Sequence, residues 1–194
     1  GGARLPTPEE MEAQTYLALA GHCTSLSYYI YYDRPLWRGD TCLVDSYLNP
    51  TAALERLSEI AVGLKGVGEM LAAAEYLEDA GPVLELTTDE FSKTFSKTGH
   101  SQSWPQVRHG LYQLRDGRGY LLVAVNQTTE APGACRVELK ADDPVTWCDL
   151  VSLEPLGPPG TGQTLSFKPA QGRLVWIGKS DQWPGVQDRI RFAR

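Results

Sequence analysis

The spacing of apolar residues changes at Gly81 and Pro82, and this change divides the chain into two parts. Before it, apolar side chains recur every three or four residues, which is the period of an amphipathic helix. After it they alternate with polar residues, which is the period of a half-buried strand. The formal charge changes at the same place, from −7 over residues 1–81 to +1 over residues 82–194. We therefore predict an α+β protein with a helical part followed by a sheet part.

The helical part begins with a strong helix start at residues 7–10. Thr7 is a capping residue, Pro8 suits the first helical position, and Glu10 is placed to complete a capping box. This pattern predicts a helix that ends at about Ala20, before Gly21. A second helix is predicted from residues 49–51 to about Glu78, on an apolar stripe formed by Leu54, Leu57, Ile60, Leu64, Val67 and Leu71.

Between the two helices, residues 26–32 form a short run rich in tyrosine with no regular alternation of apolar and polar side chains. Such a run is typical of a parallel strand that helices cover on both faces. Residues 33–48 have no periodicity and are predicted to form a long loop. Because one parallel strand cannot form a sheet, the helix–strand–helix unit either needs strands from outside this chain or packs on the second part.

The sheet part, residues 82–180, is predicted to be an antiparallel β-sandwich. Residues 116–119 have the composition of a hairpin turn between two of its strands. Residues 181–194 are expected to be a polar tail that only Trp183 and Pro184 anchor. The predicted strands are residues 83–87, 107–115, 120–127, 134–140, 145–151, 164–168 and 173–177.

The cysteines and histidines do not have the spacing of a metal or redox site. The four cysteines contain no CxxC pair, and His22, His100 and His109 are isolated from one another. Cys135 and Cys148 lie 13 residues apart on strands predicted to be neighbours. They either bridge these strands, as in an exported protein, or remain buried free thiols, and the second alternative is favoured.

Composition excludes several classes of function. The net charge of −6 and pI of about 5.1 do not suit a nucleic-acid-binding protein, which needs a basic face. No apolar run approaches the roughly 20 residues of a membrane-spanning helix. Phosphate-loop, dinucleotide-binding and nucleophile-elbow motifs are absent from the sequence, so no cofactor is predicted.

Five segments of the chain carry a resemblance to a known family: residues 4–11 (RLPTPEEM), 18–20 (ALA), 28–33 (YYIYYD), 119–128 (GYLLVAVNQT) and 172–177 (GRLVWI). They resemble the end of a (β/α)8-barrel glycoside hydrolase of the cellulase-like and β-galactosidase-like kind. The resemblance covers most of residues 4–180 and implies the last barrel helices and strand followed by an accessory β-sandwich. The two catalytic carboxylates of this family lie at the ends of the fourth and seventh barrel strands, and the resemblance implies that this chain begins after the seventh.

The resemblance therefore implies no catalytic residue here, but it places a substrate subsite after the predicted strand. Barrel sites lie at the carboxyl ends of strands, where Tyr32, Asp33, Trp37 and Asp40 would stand. An aromatic side chain can pack on the apolar face of a sugar ring, while carboxylates bind its hydroxyls. The alternative is that Trp37 packs the loop and the acids are solvated.

The aromatic residues of the sandwich allow a second carbohydrate-binding face, although strand aromatics more often belong to the core. These residues are Trp104, Tyr112, Tyr120, Trp147 and Trp176.

Two hypotheses on function follow. In the first, the chain is the C-terminal, non-catalytic part of a glycoside hydrolase, and its partners are the carbohydrate substrate and either the missing barrel portion or a second copy of itself. In the second, it is a standalone carbohydrate- or protein-binding sandwich with a helical cap. The compartment stays open, with a secreted or periplasmic location among the alternatives.

Overall fold

The fold is a stack of three layers, a set of helices, a six-stranded sheet and a three-stranded sheet. A computed structural model describes residues 6–23, 25–27, 43–44, 49–94 and 101–193. The helices are α1 Pro8–Ala20, α2 Ala52–Leu64, α3 Gly68–Ala73 and α4 Trp183–Ala193. The strands are β1 Glu75–Leu77, β2 Leu84–Thr88, β3 Glu90–Thr94, β4 Ser101–Pro105, β5 Val107–Gln113, β6 Tyr120–Asn126, β7 Gly133–Leu139, β8 Thr146–Asp149, β9 Glu154–Pro155, β10 Gly162–Phe167 and β11 Gly172–Gly178.

The strands are paired antiparallel throughout the described ranges. The six-stranded sheet has the order β1-β5-β6-β11-β8-β9, and the three-stranded sheet has the order β10-β7-β2. The β3–β4 hairpin forms a separate two-stranded arm. The predicted α+β fold with a β-sandwich-like arrangement of sheets is confirmed.

The two larger sheets face each other across one apolar core. Strand alternation directs Cys135, Val137 and Leu139 of β7 into it, and the polar residues between them point away. Trp147 of β8 and Ile177 of β11 fill the core from the other sheet. This arrangement is the inward-facing apolar set that the two-residue period predicts.

The outer face of the six-stranded sheet is also covered, because the helices pack on it. Tyr16 of α1 and Ile60 of α2 share a second core with Trp176 of β11. Strand β6 therefore lies between two layers, and its residues 121–125 are all fully buried. This explains why its sequence, unlike that of β7, is a continuous apolar run.

Two local signals in the sequence form as predicted. In α1, the Glu10 backbone N–H donates to Thr7 Oγ1 at 3.2 Å, and the Thr7 N–H donates to Glu10 Oε2 at 2.8 Å. In the β5–β6 turn, Gly117 and Gly119 have positive φ values of 74° and 101°. A side chain at Gly119 would also collide with the carbonyl oxygen of Ile177, 2.1 Å from the position of its Cβ.

The second predicted helix is shorter than expected. It ends at Leu64, a turn follows at residues 65–67, and α3 and β1 occupy the remainder up to Leu77. Gly66 lies in this turn against α4, where an added Cβ would stand 2.6 Å from the Ile190 carbonyl oxygen. A close approach of another helix thus accounts for the glycine and for the break.

The end of the chain differs from the expected polar tail. After a turn of 3₁₀-helix at Ser180–Gln182, α4 buries Val186 and Ile190 completely against the second core. Trp183 packs on Trp176 with ring centroids 5.3 Å apart. Two apolar residues four apart give a narrow stripe on one face of a helix, and the surrounding polar residues conceal it in the sequence.

The division of the chain into domains, with boundaries at residues 81 and 180, stays a prediction.

Two further expectations meet different outcomes. Cys135 and Cys148 are not on neighbouring strands: β7 belongs to the three-stranded sheet and β8 to the six-stranded sheet. Both are free thiols, one in each core. Of the predicted strand at residues 26–32, the last five residues lie outside the described ranges, and Leu26 is partly exposed without regular structure.

The cysteines should differ in reactivity. Burial raises the pKa of Cys135 to about 12 and that of Cys148 to about 11, whereas Cys23 is exposed. Because the thiolate is the nucleophile, iodoacetamide at mildly alkaline pH should modify Cys23 in the native protein and leave the two core thiols unmodified. Peptide mass spectrometry, with a guanidinium-unfolded sample as control, measures this. Native labelling of Cys135 at the rate of Cys23 would contradict the packing.

The contact between α1 and β11 can be tested at Gly172. An added Cβ there would lie 1.9 Å from Cγ of Tyr16, so Gly172→Ala should displace the ring and lower the free energy of unfolding by about 1–3 kcal/mol. Gly68→Ala is the control, because nothing lies within 4 Å of its added Cβ, and it should stay within about 1 kcal/mol of the parent. Urea unfolding measures both, and equal effects would argue against the contact.

Candidate functional site

The predicted sugar-binding residues are not placed by the structure. Tyr32, Asp33, Trp37 and Asp40 all lie outside the described residues. Their grouping into a subsite therefore stays a prediction from the sequence.

The aromatic residues of the sandwich are mainly core residues. Tyr112, Trp147 and Trp176 are buried, and both indole N–H groups have partners. Trp147 Nε1 donates to the Gly160 carbonyl at 2.9 Å, and Trp176 Nε1 donates to the Arg118 carbonyl at 2.8 Å. The core alternative is thus confirmed for these three, whereas Tyr120 and Trp104 are half-buried.

His22 has a structural position at the end of α1. It adopts a positive φ of 62° and stacks on Tyr76, with ring centroids 4.6 Å apart and planes 9° apart. Tyr76 donates its hydroxyl proton to the Ala20 carbonyl at 3.4 Å, and Tyr112 donates to the Leu19 carbonyl. These tyrosines therefore add side-chain donors at the helix end, where the Leu19 carbonyl also accepts from the His22 backbone N–H at 3.1 Å.

Neither the shifted pKa values of Tyr112 and His109 nor the positions of metal-binding side chains indicate another site among the described residues. Burial, with added contributions from Tyr76 and Cys23, raises the pKa of Tyr112 to about 12. Burial and then the charge of Arg108 lower the pKa of His109. Among the described residues, no group of three His, Cys, Asp or Glu side chains is placed to hold a metal ion.

A cavity lined by five charged side chains lies where the helices meet the ends of β8 and β11. We call this cavity of about 360 Å³ the interlayer pocket. Its charged lining residues are Glu12 of α1, Arg56 and Glu59 of α2, Asp149 of β8 and Arg173 of β11. Its apolar lining includes Ile60, Gly63 and Val151.

Glu12 joins three elements of the fold in this pocket. Its side chain is only 10% exposed, and its Oε2 accepts from Arg56 Nε at 3.1 Å and from Arg56 Nη2. Its Oε1 accepts from the Gly172 backbone N–H at 3.1 Å. Arg56 Nη1 also donates to Glu59 Oε2 at 2.6 Å. The hydrogen bond with Glu12 is the largest cause that raises the pKa of Arg56, which stays charged.

The opposite wall contains a second, looser ion pair. Asp149 Oδ1 accepts from the backbone N–H groups of Val151 and Ser152, each at 2.9 Å. Its Oδ2 lies 4.0 Å from Arg173 Nη1, at the limit of an ion pair. Arg173 Nε is buried and has no hydrogen-bond partner among the described residues. This guanidinium therefore has unused donor capacity, which is costly for a buried group.

Tyr16 closes the base of the interlayer pocket over Gly172. Burial raises its pKa to about 12, and the carboxylates of Glu12 and Asp149 act in the same direction. Its hydroxyl is therefore neutral at physiological pH and offers no base.

The arrangement suits binding better than hydrolysis. Glycosidic cleavage needs one carboxyl group to protonate the leaving oxygen and another to attack or activate water. Here Glu12 accepts from Arg56 and Gly172, and Asp149 is fixed by two backbone N–H groups. Glu59, the third carboxylate of the lining, is paired with Arg56 at 2.6 Å. All three carboxylates thus already have donors within the chain, and the pocket offers them as acceptors.

Comparison of this chain with protein-family models, curated proteins and solved structures finds no match. In addition, the described part of the chain contains no helix of the length and hydropathy needed to cross a membrane. The likeness to glycoside hydrolases consequently depends on the sequence segments alone.

The role of Glu12 can be separated from that of Glu59. Glu12→Gln removes the negative charge to which Arg56 and the Gly172 N–H donate. It should lower the free energy of unfolding by about 1–3 kcal/mol. This is less than the cost of breaking a fully buried ion pair, because Arg56 is partly exposed. Glu59 is 65% exposed, so Glu59→Gln should cost less than about 0.5 kcal/mol. Urea unfolding of both variants gives the comparison. Similar losses for the two would refute a special role for Glu12.

Proposed function

We propose that this chain is the C-terminal, non-catalytic part of a (β/α)8 glycoside hydrolase, contributing substrate-subsite residues and an accessory β-sandwich. One observation carries the proposal: the helices before residue 81 share one apolar core with the six-stranded sheet, of which all strands but β1 follow that residue, and in this core Tyr16 and Ile60 pack with Trp176. A sandwich fixed in this way to the preceding helices suits an accessory domain at the end of a barrel chain.

The packing of α1 gives further support. Its Ala13 and Tyr16 face the sheet, while Met11 on another side packs with Leu43 and Ala53. A helix covered on two sides is an interior element and not a surface cap. The helices that surround a barrel are interior in this sense wherever another domain packs on them.

The proposal divides the chemistry between this chain and the rest of the enzyme. The acid and the nucleophile or base would come from barrel strands that precede residue 1, so this chain alone should hydrolyse no glycoside. Its own contribution would be to hold sugar through Tyr32, Asp33, Trp37 and Asp40. These residues follow a predicted barrel strand and combine an aromatic surface with carboxylate acceptors.

A second function is favoured by the completeness of the sandwich. The core between the two sheets is filled by buried residues of β2, β5, β6, β7, β8, β10 and β11, which is what a module that folds independently requires. In this alternative the chain is a standalone carbohydrate- or protein-binding sandwich with a helical cap. The size of the native product distinguishes the two functions.

An immunoblot of the source cells with an antibody against this chain makes that comparison. A species several tens of kilodaltons above 21.3 kDa is expected, about the size of the missing portion of a barrel of ~250 residues. That species should hydrolyse glycosides, and the isolated chain should not. A native product of 21.3 kDa would instead establish the standalone module.

The sugar-holding role is tested with Trp37→Ala. Loss of the aromatic surface should weaken oligosaccharide binding about tenfold, which corresponds to ~1.4 kcal/mol of binding free energy. Isothermal titration against a panel of neutral oligosaccharides measures the change, with Phe192→Ala as the control, because Phe192 is an aromatic residue 91% exposed on α4 and belongs to no predicted sugar-binding face. Equal affinity for Trp37→Ala and the parent chain would exclude Trp37 from the subsite.

A further inference from the structure

The interlayer pocket has binding capacity that the fold does not use. We propose that it is a separate binding site for a neutral polyhydroxylated ligand, a monosaccharide unit or a small polyol. The site consists entirely of described residues and does not include Tyr32, Asp33, Trp37 or Asp40. Its existence is independent of the proposed function, whereas the preference for sugars over other polyols rests on it.

The charge of the pocket selects against ions. Three carboxylates, those of Glu12, Glu59 and Asp149, lie among two guanidinium groups, those of Arg56 and Arg173. An anion that approached Arg173 would also approach Asp149, and a cation that approached Glu59 would meet Arg56. A hydroxyl group carries no charge, so neither repulsion acts on it. It can also accept a hydrogen bond from a guanidinium and donate one to a carboxylate at the same time.

Arg173 supplies the donors. Its side chain is 25% exposed, so the ligand can reach the guanidinium from the pocket, while its Nε–H has no partner within the described ranges. The ion pair with Asp149 is long and leaves the planar fork of donors available. A ligand hydroxyl can accept from the Nη groups of this fork, whereas the buried Nε–H lies within the wall of the pocket.

The acceptors and the apolar surface lie opposite. Glu59 is largely exposed beside Arg56 and can accept from a hydroxyl. Val151 and Gly63 lie together on the wall, with the β-carbon position of Gly63 3.7 Å from a methyl of Val151. This small apolar surface suits the carbon–hydrogen face of a sugar ring. The volume of about 360 Å³ lies at the lower end of the range of small-molecule sites, which is about 300–1,000 Å³.

Titration of the full chain by ¹⁵N-correlated NMR tests the proposal. The probes are a panel of neutral monosaccharides, glycerol as a small polyol, and acetate as an anion. Neutral sugars should shift the backbone signals of Gly63, Ser152 and Gly172, with weak, saturable affinity. Shifts with glycerol as well as sugars would keep the site and assign it to polyols in general. Shifts with acetate alone, or with no probe, would overturn the proposal.

The variant that tests the donor role is Arg173→Met, which keeps the stem and removes the guanidinium. It should weaken binding of the best sugar at least tenfold. Arg136→Met is the matched control, because Arg136 is 61% exposed on β7 and pairs with Glu138 outside the pocket. If Arg173→Met does not fold by circular dichroism, Arg173→Lys retains the charge without the planar fork and should weaken binding severalfold. Unchanged affinity in a folded Arg173 variant would overturn the assignment.

The same titrations separate this proposal from the proposed function. Failure of the pocket signals to respond, with oligosaccharide binding that depends on Trp37, would overturn the pocket site and leave the hydrolase proposal standing. Binding lost in Arg173→Met and retained in Trp37→Ala would establish the pocket and remove the predicted subsite.

Discussion

The burial of the six-stranded sheet on both faces is the constraint on which the other features depend. Residues 121–125 of β6 are fully buried, with one set of side chains in the core between the sheets and the other in the core beneath the helices. A sandwich of two sheets normally leaves its outer faces to water. Here the outer face contains Trp176 and Leu174, so the helices are needed to cover it.

This dependence makes the contact between α1 and the sheet decisive for the whole chain. The helix approaches so closely that Tyr16 packs directly on the backbone of Gly172, where no larger residue fits. At the same place Glu12 accepts from the backbone of β11 and from α2. A largely buried carboxylate contributes less to stability than its contacts suggest, because desolvation offsets much of the attraction. Its directional hydrogen bonds instead favour one position of α1 on the sheet. Apolar contacts alone would allow the helix to shift along the sheet surface.

The local elements of this fold could be predicted from the sequence, because their causes are local. The capping box of Thr7 and Glu10 marks the start of α1, and the turn glycines 117 and 119 mark the β5–β6 hairpin. Alternation along β7 identifies the face that enters the core. Each of these depends on residues within a few positions of one another.

The features that the sequence did not reveal depend on distant contacts. The break after α2 is explained by the approach of α4 to Gly66, more than a hundred residues away, and the helix over 183–193 is stabilised by only two fully buried residues. The separation of Cys135 from Cys148 follows from a chain that changes sheets between β7 and β8. In the same way, the interlayer pocket joins residue 12 to residues 56, 149 and 173, which are distant in the sequence. Its one signal in the sequence is the arginine at position 173, next to the apolar residues of β11.

The pocket also shows why a site of this kind favours binding over catalysis. A catalytic carboxyl group must change its proton or its partners during the reaction, and groups that hold elements together cannot do so without disturbing the fold. Glu12 and Asp149 are fixed in this way, whereas the guanidinium of Arg173 lines the cavity and is paired with Asp149 only at 4.0 Å. The network that fastens the helices to the sheet thus places a rigid set of acceptors beside a loosely paired guanidinium. Such a set can hold a neutral hydroxylated ligand at the joint between the layers, and the ligand would in turn stabilise that joint, because binding to the folded state alone raises its stability.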